Sequence, residues 1–271
     1  MKVFCCKVNP TGNRTLIVAT PVKREWHAAV AAQLMERDKS VEQVGFMENP
    51  ASECAAARLQ MMGGEFCGNA SISAAALIAE NIGCADNEAV PMSLEVSGID
   101  EPVSVSVTKT GEKSFTGTVD MPVPEAVYDY TFINGFDTRT LPLVRFPGIC
   151  HVIMNKYFSP ELAEKLIADW CRQLNAEALG IMFLNEGAKR LEPLVYVAST
   201  DTTVWENSCA SGTSAVAAYL ASAKKRSVSV SLQQPGGTLS AEAEYKDGAV
   251  RKIRLTGAAV IEDKAEIDVN T

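Results

Sequence analysis

Cys67-Gly-Asn-Ala-Ser-Ile-Ser-Ala-Ala-Ala-Leu-Ile-Ala79 and Cys209-Ala-Ser-Gly-Thr-Ser-Ala-Val-Ala-Ala-Tyr-Leu-Ala221 are near-copies of one stretch. They lie 142 residues apart in a chain of 271. In each copy a cysteine precedes small residues and then an apolar, alanine-rich run with helical character, so each sulfur is expected at a helix N-terminus. There the unpaired backbone N–H groups and the positive end of the helix dipole favour thiolate over thiol. The same N–H groups can hold a carboxylate, and Gly68, Ala70, Ala210 and Gly212 leave room for a ligand to approach the backbone. A lone cysteine at a helix start is most often a packed core residue. The same context twice reads instead as a pair of thiols serving proton abstraction beside a carboxylate.

The duplication extends upstream of the cysteines. A helix near Val22 to Met35 has its counterpart at Glu161 to Leu174, where Ser159 is placed to cap, Pro160 suits the first turn, and Leu162, Leu166, Ile167 and Trp170 give an apolar stripe. Val44-Gly45-Phe46-Met47 and Leu179-Gly180-Ile181-Met182 both read as short buried strands that follow these helices. Three elements in the same order describe two related halves.

Alternating segments such as Ser93 to Val107 and Ser227 to Leu232 read as strands, with Gln234-Pro-Gly-Gly237 as a turn between strands. Pro122 and Pro124 break regular structure near residues 118–125, so the halves are expected over residues 1–120, completed by residues 262–271, and residues 121–261. Many strands with two helices per half predict an α+β fold of two pseudo-symmetric halves. Each half is expected to be a curved, mainly antiparallel, barrel-like sheet wrapped on its cysteine-headed helix. The helix from Ser71 to Ala79 is apolar nearly all round, as a helix enclosed by sheet would be. A cleft between the halves would let the two helix N-termini converge.

Composition narrows the classes. A formal charge of −8 and 47% apolar residues argue for a well-cored protein acting on small polar substrates, and against nucleic acid or an anionic membrane as partner. No apolar run approaches the ~20 residues of a membrane span, and the N-terminus lacks a secretory pattern, so a cytoplasmic location is expected. The eight cysteines are expected as free thiols in that compartment, the six besides Cys67 and Cys209 being small core residues. With no Cys-x-x-Cys pair and only His27 and His151, no metal site is expected. His27 is expected on an exposed helix face, and His151 in the core or near the site.

At these residues the chain resembles the diaminopimelate epimerase superfamily, the cofactor-independent amino-acid racemases and epimerases. The resemblance covers almost the whole chain: Gly12-Asn13, Gln43 with Val44-Gly45, Cys67-Gly68-Asn69-Ala70, Cys209 with Ser211-Gly212-Thr213, Pro235-Gly236-Gly237 and Leu255-Thr256-Gly257-Ala258. It implies no cofactor and a two-base reaction, in which one cysteine removes the α-proton of an amino acid while the other delivers a proton to the opposite face. Cys67 and Cys209 would be that pair. Gly68, Asn69, Gly212 and Thr213 would surround the α-carboxylate, Ser211 would join them in binding the substrate, Asn13 and Gln43 would line the pocket, and a homodimer is plausible by the same likeness.

The departures from diaminopimelate epimerase bear on substrate. Where that enzyme carries Glu-Arg-Gly, this chain has Val197-Ala198-Ser199, and no arginine occurs between Arg190 and Cys209. Its Gly-Asn-Pro-His is Gly148-Ile149-Cys150-His151 here, and its Asn-Ala-Asp-Gly is replaced by the shorter Met61 to Phe66 segment. The clamp for a distal carboxylate is therefore missing, and burying that charge unpaired would cost several kcal/mol. Gly64 to Ala70 and Trp205-Glu206-Asn207-Ser208-Cys209 are instead similar to the histidine racemases that feed opine-type metallophore synthesis, apart from Ala210 in place of their glycine.

Glu206 is the first candidate to meet the substrate ammonium or to raise a neighbouring thiol. Glu65 and Glu42 are carboxylates available to an imidazole, with Phe46, Phe66 and Trp205 as an aromatic wall. Two other classes remain open on the residues alone: a duplicated scaffold without catalysis, and a redox protein cycling the two cysteines as a disulfide.

Overall fold

The computed structural model describes residues 1–135, 137–155 and 159–270. The chain divides into two compact units, Met1–Asp120 with Thr256–Thr271, and Met121–Leu255; Thr271 itself lies outside the described residues. The fold is α+β, and the two units repeat one order of elements.

Unit 1 contains β1 (Lys2–Asn9), β2 (Thr15–Val18), α1 (Arg24–Arg37), β3 (Gln43–Glu48), β4 (Ala57–Met61), α2 (Gly68–Asn81), β5 (Ala89–Val96), β6 (Val103–Gly111) and β7 (Ser114–Met121). Unit 2 contains β8 (Ala126–Asn134), β9 (Asp137–Phe146), β10 (Ile149–Met154), α3 (Pro160–Gln173), β11 (Ala178–Asn185), β12 (Arg190–Val197), β13 (Thr202–Trp205), α4 (Ala210–Lys224), β14 (Val228–Gln234) and β15 (Gly237–Lys246). The last strand, β16 (Ala249–Asp268), leaves unit 2 at Leu255 and continues into unit 1 from Thr256.

Strand order in unit 1 is β1-β2-β3-β4-β5-β6-β7-β16, and β1 pairs with β16 as well, which closes the sheet on itself. In unit 2 the order is β8-β9-β10-β11-β12-β14-β15-β16, with β13 added to β12. The pairing senses match step for step. The strands flanking the first helix of each unit are parallel, β2 with β3 and β10 with β11, as are those flanking the second, β4 with β5 and β12 with β14. The other registered pairs are antiparallel, as expected where short turns join neighbours. The Gln234-Pro-Gly-Gly237 turn joins β14 to β15 with Gln234 opposite Gly237.

The two helices of each unit differ in burial, and their sequences explain why. α1 buries His27, Val30, Ala31 and Leu34, a single stripe at helical spacing, against Val3, Val18, Val44 and Phe46. α3 buries Ala163, Ile167, Trp170 and Cys171 against Phe132, Leu143, Leu179 and Ile181. Trp170 is fully enclosed, so its truncation to alanine would cost about 3–5 kcal/mol. The stripe is displaced from the expected one, because Leu162 stays 39% exposed and Ala163 takes the inward position.

His27 is also a correction. It is buried rather than exposed, stacked on Phe46 with ring centroids 3.7 Å apart, and its Nε2–H donates to Val22 O at 3.0 Å. α2 and α4, by contrast, bury nearly every side chain; α2 packs on β2, β5 and β6, and α4 on β9, β10, β14 and β15. Close approach needs a gap in the sheet. A Cβ on Gly117 of β7 would lie 2.4 Å from Ile72 Cγ2 of α2.

Candidate functional site

Cys67 and Cys209 are the N-cap residues of α2 and α4, with nearly the same backbone: φ −134°, ψ 111° for Cys67 and φ −119°, ψ 109° for Cys209. An N-cap side chain normally accepts from the backbone N–H two or three residues on. Here sulfur plays that part. Cys67 Sγ accepts from Ala70 N–H at 3.4 Å, and Cys209 Sγ accepts from Gly212 N–H at 3.3 Å. The helix start is thereby turned onto the sulfur rather than away from it.

Around Cys67 the polar groups come from β2, β3 and the loop after β1. Cys67 Sγ–H donates to Gln43 Oε1 at 3.3 Å. Gln43 Nε2 donates to Asn13 Oδ1 at 2.6 Å and to Thr15 Oγ1 at 2.7 Å, and Asn13 Nδ2 donates to Glu42 Oε2 at 2.7 Å. Three residues expected at the site, Asn13, Glu42 and Gln43, thus join Cys67 in one hydrogen-bonded series. Gly68 and Asn69 occupy the first turn of α2, both buried. Glu65 precedes them, and its carboxyl is raised above the usual carboxylate range by the surrounding atoms while hydrogen bonds from its own and the Gly63 backbone act against that rise.

Around Cys209 the chemistry differs. Its backbone N–H donates to Gln234 Oε1 at 2.8 Å, and Gln234 Nε2 donates to Thr213 Oγ1 at 2.8 Å, whose hydroxyl donates to Cys209 O at 2.7 Å. Thr213 N–H also reaches Cys209 O, at 3.0 Å. Gly212 and Thr213, expected beside the α-carboxylate, are therefore engaged in holding Cys209. A Cβ on Gly212 would lie 2.1 Å from Met182 Sδ, so a side chain there would force Met182 to shift.

Burial pushes the Cys209 thiol well above its ordinary range, and Glu206 pushes it further, through its charge and by accepting a hydrogen bond. Ser211 and Gly212 oppose this more weakly. Of the two influences expected on Cys209, the helix start and a neighbouring carboxylate, burial acts in the same direction as the carboxylate. Desolvation and an adjacent carboxylate outweigh the helix terminus.

His151 and Gln234 were not among the residues expected to act. His151 is fully buried, with Nε2 at 3.0 Å from Ser211 Oγ, and Ser211 Oγ is 3.6 Å from Cys209 Sγ. Gly180 opposite it leaves the space, as a Cβ there would lie 2.3 Å from His151 Nδ1. Burial holds the imidazole pKa down to about 3, so it is neutral. A signal was available in the repeat. His151 faces Gly180 across a parallel pair as Ile17 faces Gly45, so one half carries a histidine where the other keeps a core isoleucine. Gln234 offered no such signal, being read as part of a turn.

The aromatic wall is corrected at Phe46. Phe46 is 1% exposed and belongs to the core under α1. Trp205 packs on Phe183 and donates from Nε1 to Glu164 of α3 at 2.6 Å. It also borders a cavity of about 210 Å³ with Glu192, Pro193, Glu206, Asn207 and Pro235. Among the other cysteines, Cys5, Cys6, Cys150 and Cys171 are core residues as expected, but Cys54 is exposed and Cys84 only half-buried. Among the described residues no cluster of His, Cys, Asp and Glu suits a metal ion, and no helix is long and apolar enough to cross a membrane.

The same fold is found in racemases and epimerases of known structure. A hydroxyproline epimerase from Agrobacterium vitis matches with a TM-score of 0.71 at 12% identity, over 98% of this chain and 92% of that one. A predicted epimerase from Pseudomonas aeruginosa matches with a TM-score of 0.71 at 14% identity, over the whole of both chains. Together with the sequence relatives they define an isomerase of the racemase class. Residues 2–266 match the family described as the histidine racemase CntK N-terminal domain, and the chain belongs to that family. It is 34% identical over 258 residues to a histidine racemase of Fusobacterium nucleatum subsp. nucleatum, covering 90% of this chain and 92% of the relative. A histidine racemase of Staphylococcus aureus is 28% identical over 240 residues, covering 86% and 85%.

Proposed function

We infer that this protein interconverts L- and D-histidine without a cofactor, using Cys67 and Cys209 as its two acid/base groups. The observation that carries the reading is the repeated thiol cap: a chain of the histidine racemase family sets one cysteine at the N-cap of the enclosed helix in each unit. In the reaction one cysteine, as thiolate, takes the α-proton and becomes a thiol. The other, as thiol, gives its proton to the opposite face of the α-carbon and becomes the thiolate. Charge and protons balance, and the enzyme is left in the mirror protonation state, ready for the other enantiomer.

The α-proton is far less acidic than a thiol, so the carbanion must be stabilised as it forms. Helix N-terminal amides of Gly68, Asn69 and Ser211 are assigned to the α-carboxylate, where electron density accumulates. Glu206 is assigned to a cationic group of the substrate, which would neutralise the charge that holds Cys209 up. The cavity that Glu206 shares with Trp205 suits an imidazole, one edge polar and one face apolar. Free thiols favour a reducing, cytoplasmic setting.

Incubation with L-histidine in deuterium oxide tests the reading. Loss of circular dichroism with deuterium entering the α-carbon is expected, and Cys67→Ser and Cys209→Ser should each abolish racemisation. Turnover of LL-diaminopimelate with L-histidine untouched would overturn the substrate, and unimpaired racemisation in either serine variant would overturn the mechanism.

A further inference from the structure

The series that begins at Glu42 has a fixed direction. An ionised carboxylate only accepts hydrogen bonds, so the Asn13 amide must present its NH2 to Glu42 and its Oδ1 to the other side. Gln43 meets that Oδ1 at 2.6 Å and must therefore present its own NH2 there, which leaves Oε1 facing Cys67 at 3.3 Å. The Thr15 hydroxyl donates to Asn13 O at 3.2 Å, and its oxygen accepts from Gln43 Nε2. Thr15 fits this orientation without fixing it, because its hydroxyl can rotate to donate to a turned Gln43 instead. The sign of the charge at Glu42 is carried through two side-chain amides to the sulfur.

We propose that Glu42 is a positioning residue that sets, through Asn13 and Gln43, the hydrogen-bond polarity at Cys67, so that this sulfur is held as an S–H donor. For Cys67 to become a thiolate, the Gln43 carbonyl would face an anion. The relief is to turn both amides over together, which would set Asn13 Oδ1 against the Glu42 carboxylate. Glu42 thus locks the relay in its resting sense, and a cationic substrate group arriving at Glu42 unlocks it. The two thiols are then held by different means: Cys209 donates directly to a carboxylate, while Cys67 donates to a carbonyl whose direction a carboxylate dictates. Glu65, the other carboxylate close to Cys67 in sequence, stands outside the relay, with the Gly63 backbone on it.

The inference builds on the reading of Cys67 as a reacting group, but the polarity is measured without turnover, so a failure of histidine racemisation would leave the readout intact. The S–H stretching band of Cys67 is isolated as the infrared difference between each protein and its Cys67→Ser counterpart. Per-cysteine alkylation by iodoacetamide, resolved by mass spectrometry, gives the thiolate fraction. Glu42→Gln presents either amide edge to Asn13 and frees the relay. The band should then move to the position of a non-donating thiol, and Cys67 alkylation near pH 7 should rise about tenfold, one pH unit of thiolate population, with Cys209 unchanged.

Glu65→Gln removes a nearby charge without touching the relay and should leave the band in place. Should Glu42→Gln not fold, Asn13→Leu cuts the relay one step later and should give the same shift. An unmoved band in the relay variants, an equal shift in Glu65→Gln, or a parallel change at Cys209 would each overturn the proposal.

Discussion

His151 and Ser211 meet in unit 2, Nε2 to Oγ at 3.0 Å, with Ser211 Oγ 3.6 Å from the Cys209 sulfur. A neutral imidazole in a wholly buried slot ties stability to pH. Its folded pKa lies near 3 and its unfolded value near 6.5, so between these limits the unfolded chain binds a proton that the folded chain refuses. Stability from this residue is therefore complete above about pH 6.5 and is lost as pH falls toward 3, at ~1.4 kcal/mol per pH unit in mid-range. Urea unfolding of the wild type and His151→Gln at pH 7, 6, 5 and 4 should show the wild type losing stability more steeply. Equal slopes would mean that His151 is not buried neutral.

Glu206 adds to burial in raising the proton affinity of Cys209. Glu206→Gln removes both the charge and the strongest acceptor beside the thiol, leaving burial as the main upward influence. The pH at which Cys209 becomes reactive toward iodoacetamide should drop, while Cys67 keeps its profile. If Cys209 reacts with an unchanged pH profile, the hydrogen bond between the two has no consequence.

Gly212 is required by contact rather than by conformation. In Gly212→Ala the new methyl would lie 2.1 Å from Met182 Sδ and 3.2 Å from Cys209 Sγ, with Met182 itself fully buried. Overpacking of this kind costs about 1–3 kcal/mol, and the displaced sulfur should lower kcat more than KM. At the matching place in α2, Ala70 occupies the position with its N–H on Cys67. A Gly212→Ala protein of wild-type stability and kcat would contradict the packing.

Gln234 ties the end of β14 to the start of α4. It is 2% exposed and serves both the Cys209 N–H and the Thr213 hydroxyl. Gln234→Leu keeps the volume but strands both groups, so stability should fall by about 1–3 kcal/mol by chemical denaturation. Faster amide hydrogen exchange at Cys209 should accompany it, and unchanged exchange would show that the cap survives without the glutamine.

What the sequence made legible was local. A cysteine followed by small residues and an alanine-rich run defines a helix start by itself, and repetition of Val44-Gly45-Phe46-Met47 as Leu179-Gly180-Ile181-Met182 placed the matching strands. What stayed hidden depends on contacts between distant segments. Gln234 reaches Cys209 across 25 residues and His151 reaches Ser211 across 60, and neither pairing follows from spacing. His27 was misread because α1 carries few large apolar residues, so its inward face was not evident until Phe46 was seen lying against it. The balance of influences on Cys209 stayed open for a related reason. A helix terminus is a local feature, whereas desolvation is set by everything packed around the thiol.

The strand β16 also orders events in time. Unit 1 closes only when residues near 260 pair with Asn9 and its neighbours, although its first seven strands are complete by Met121. On the ribosome the earliest-made portion of the chain must wait, unsealed, through the synthesis of the whole of unit 2. Its apolar strands are exposed to chaperones for that interval, and truncation anywhere before β16 leaves the first unit with an unzipped seam.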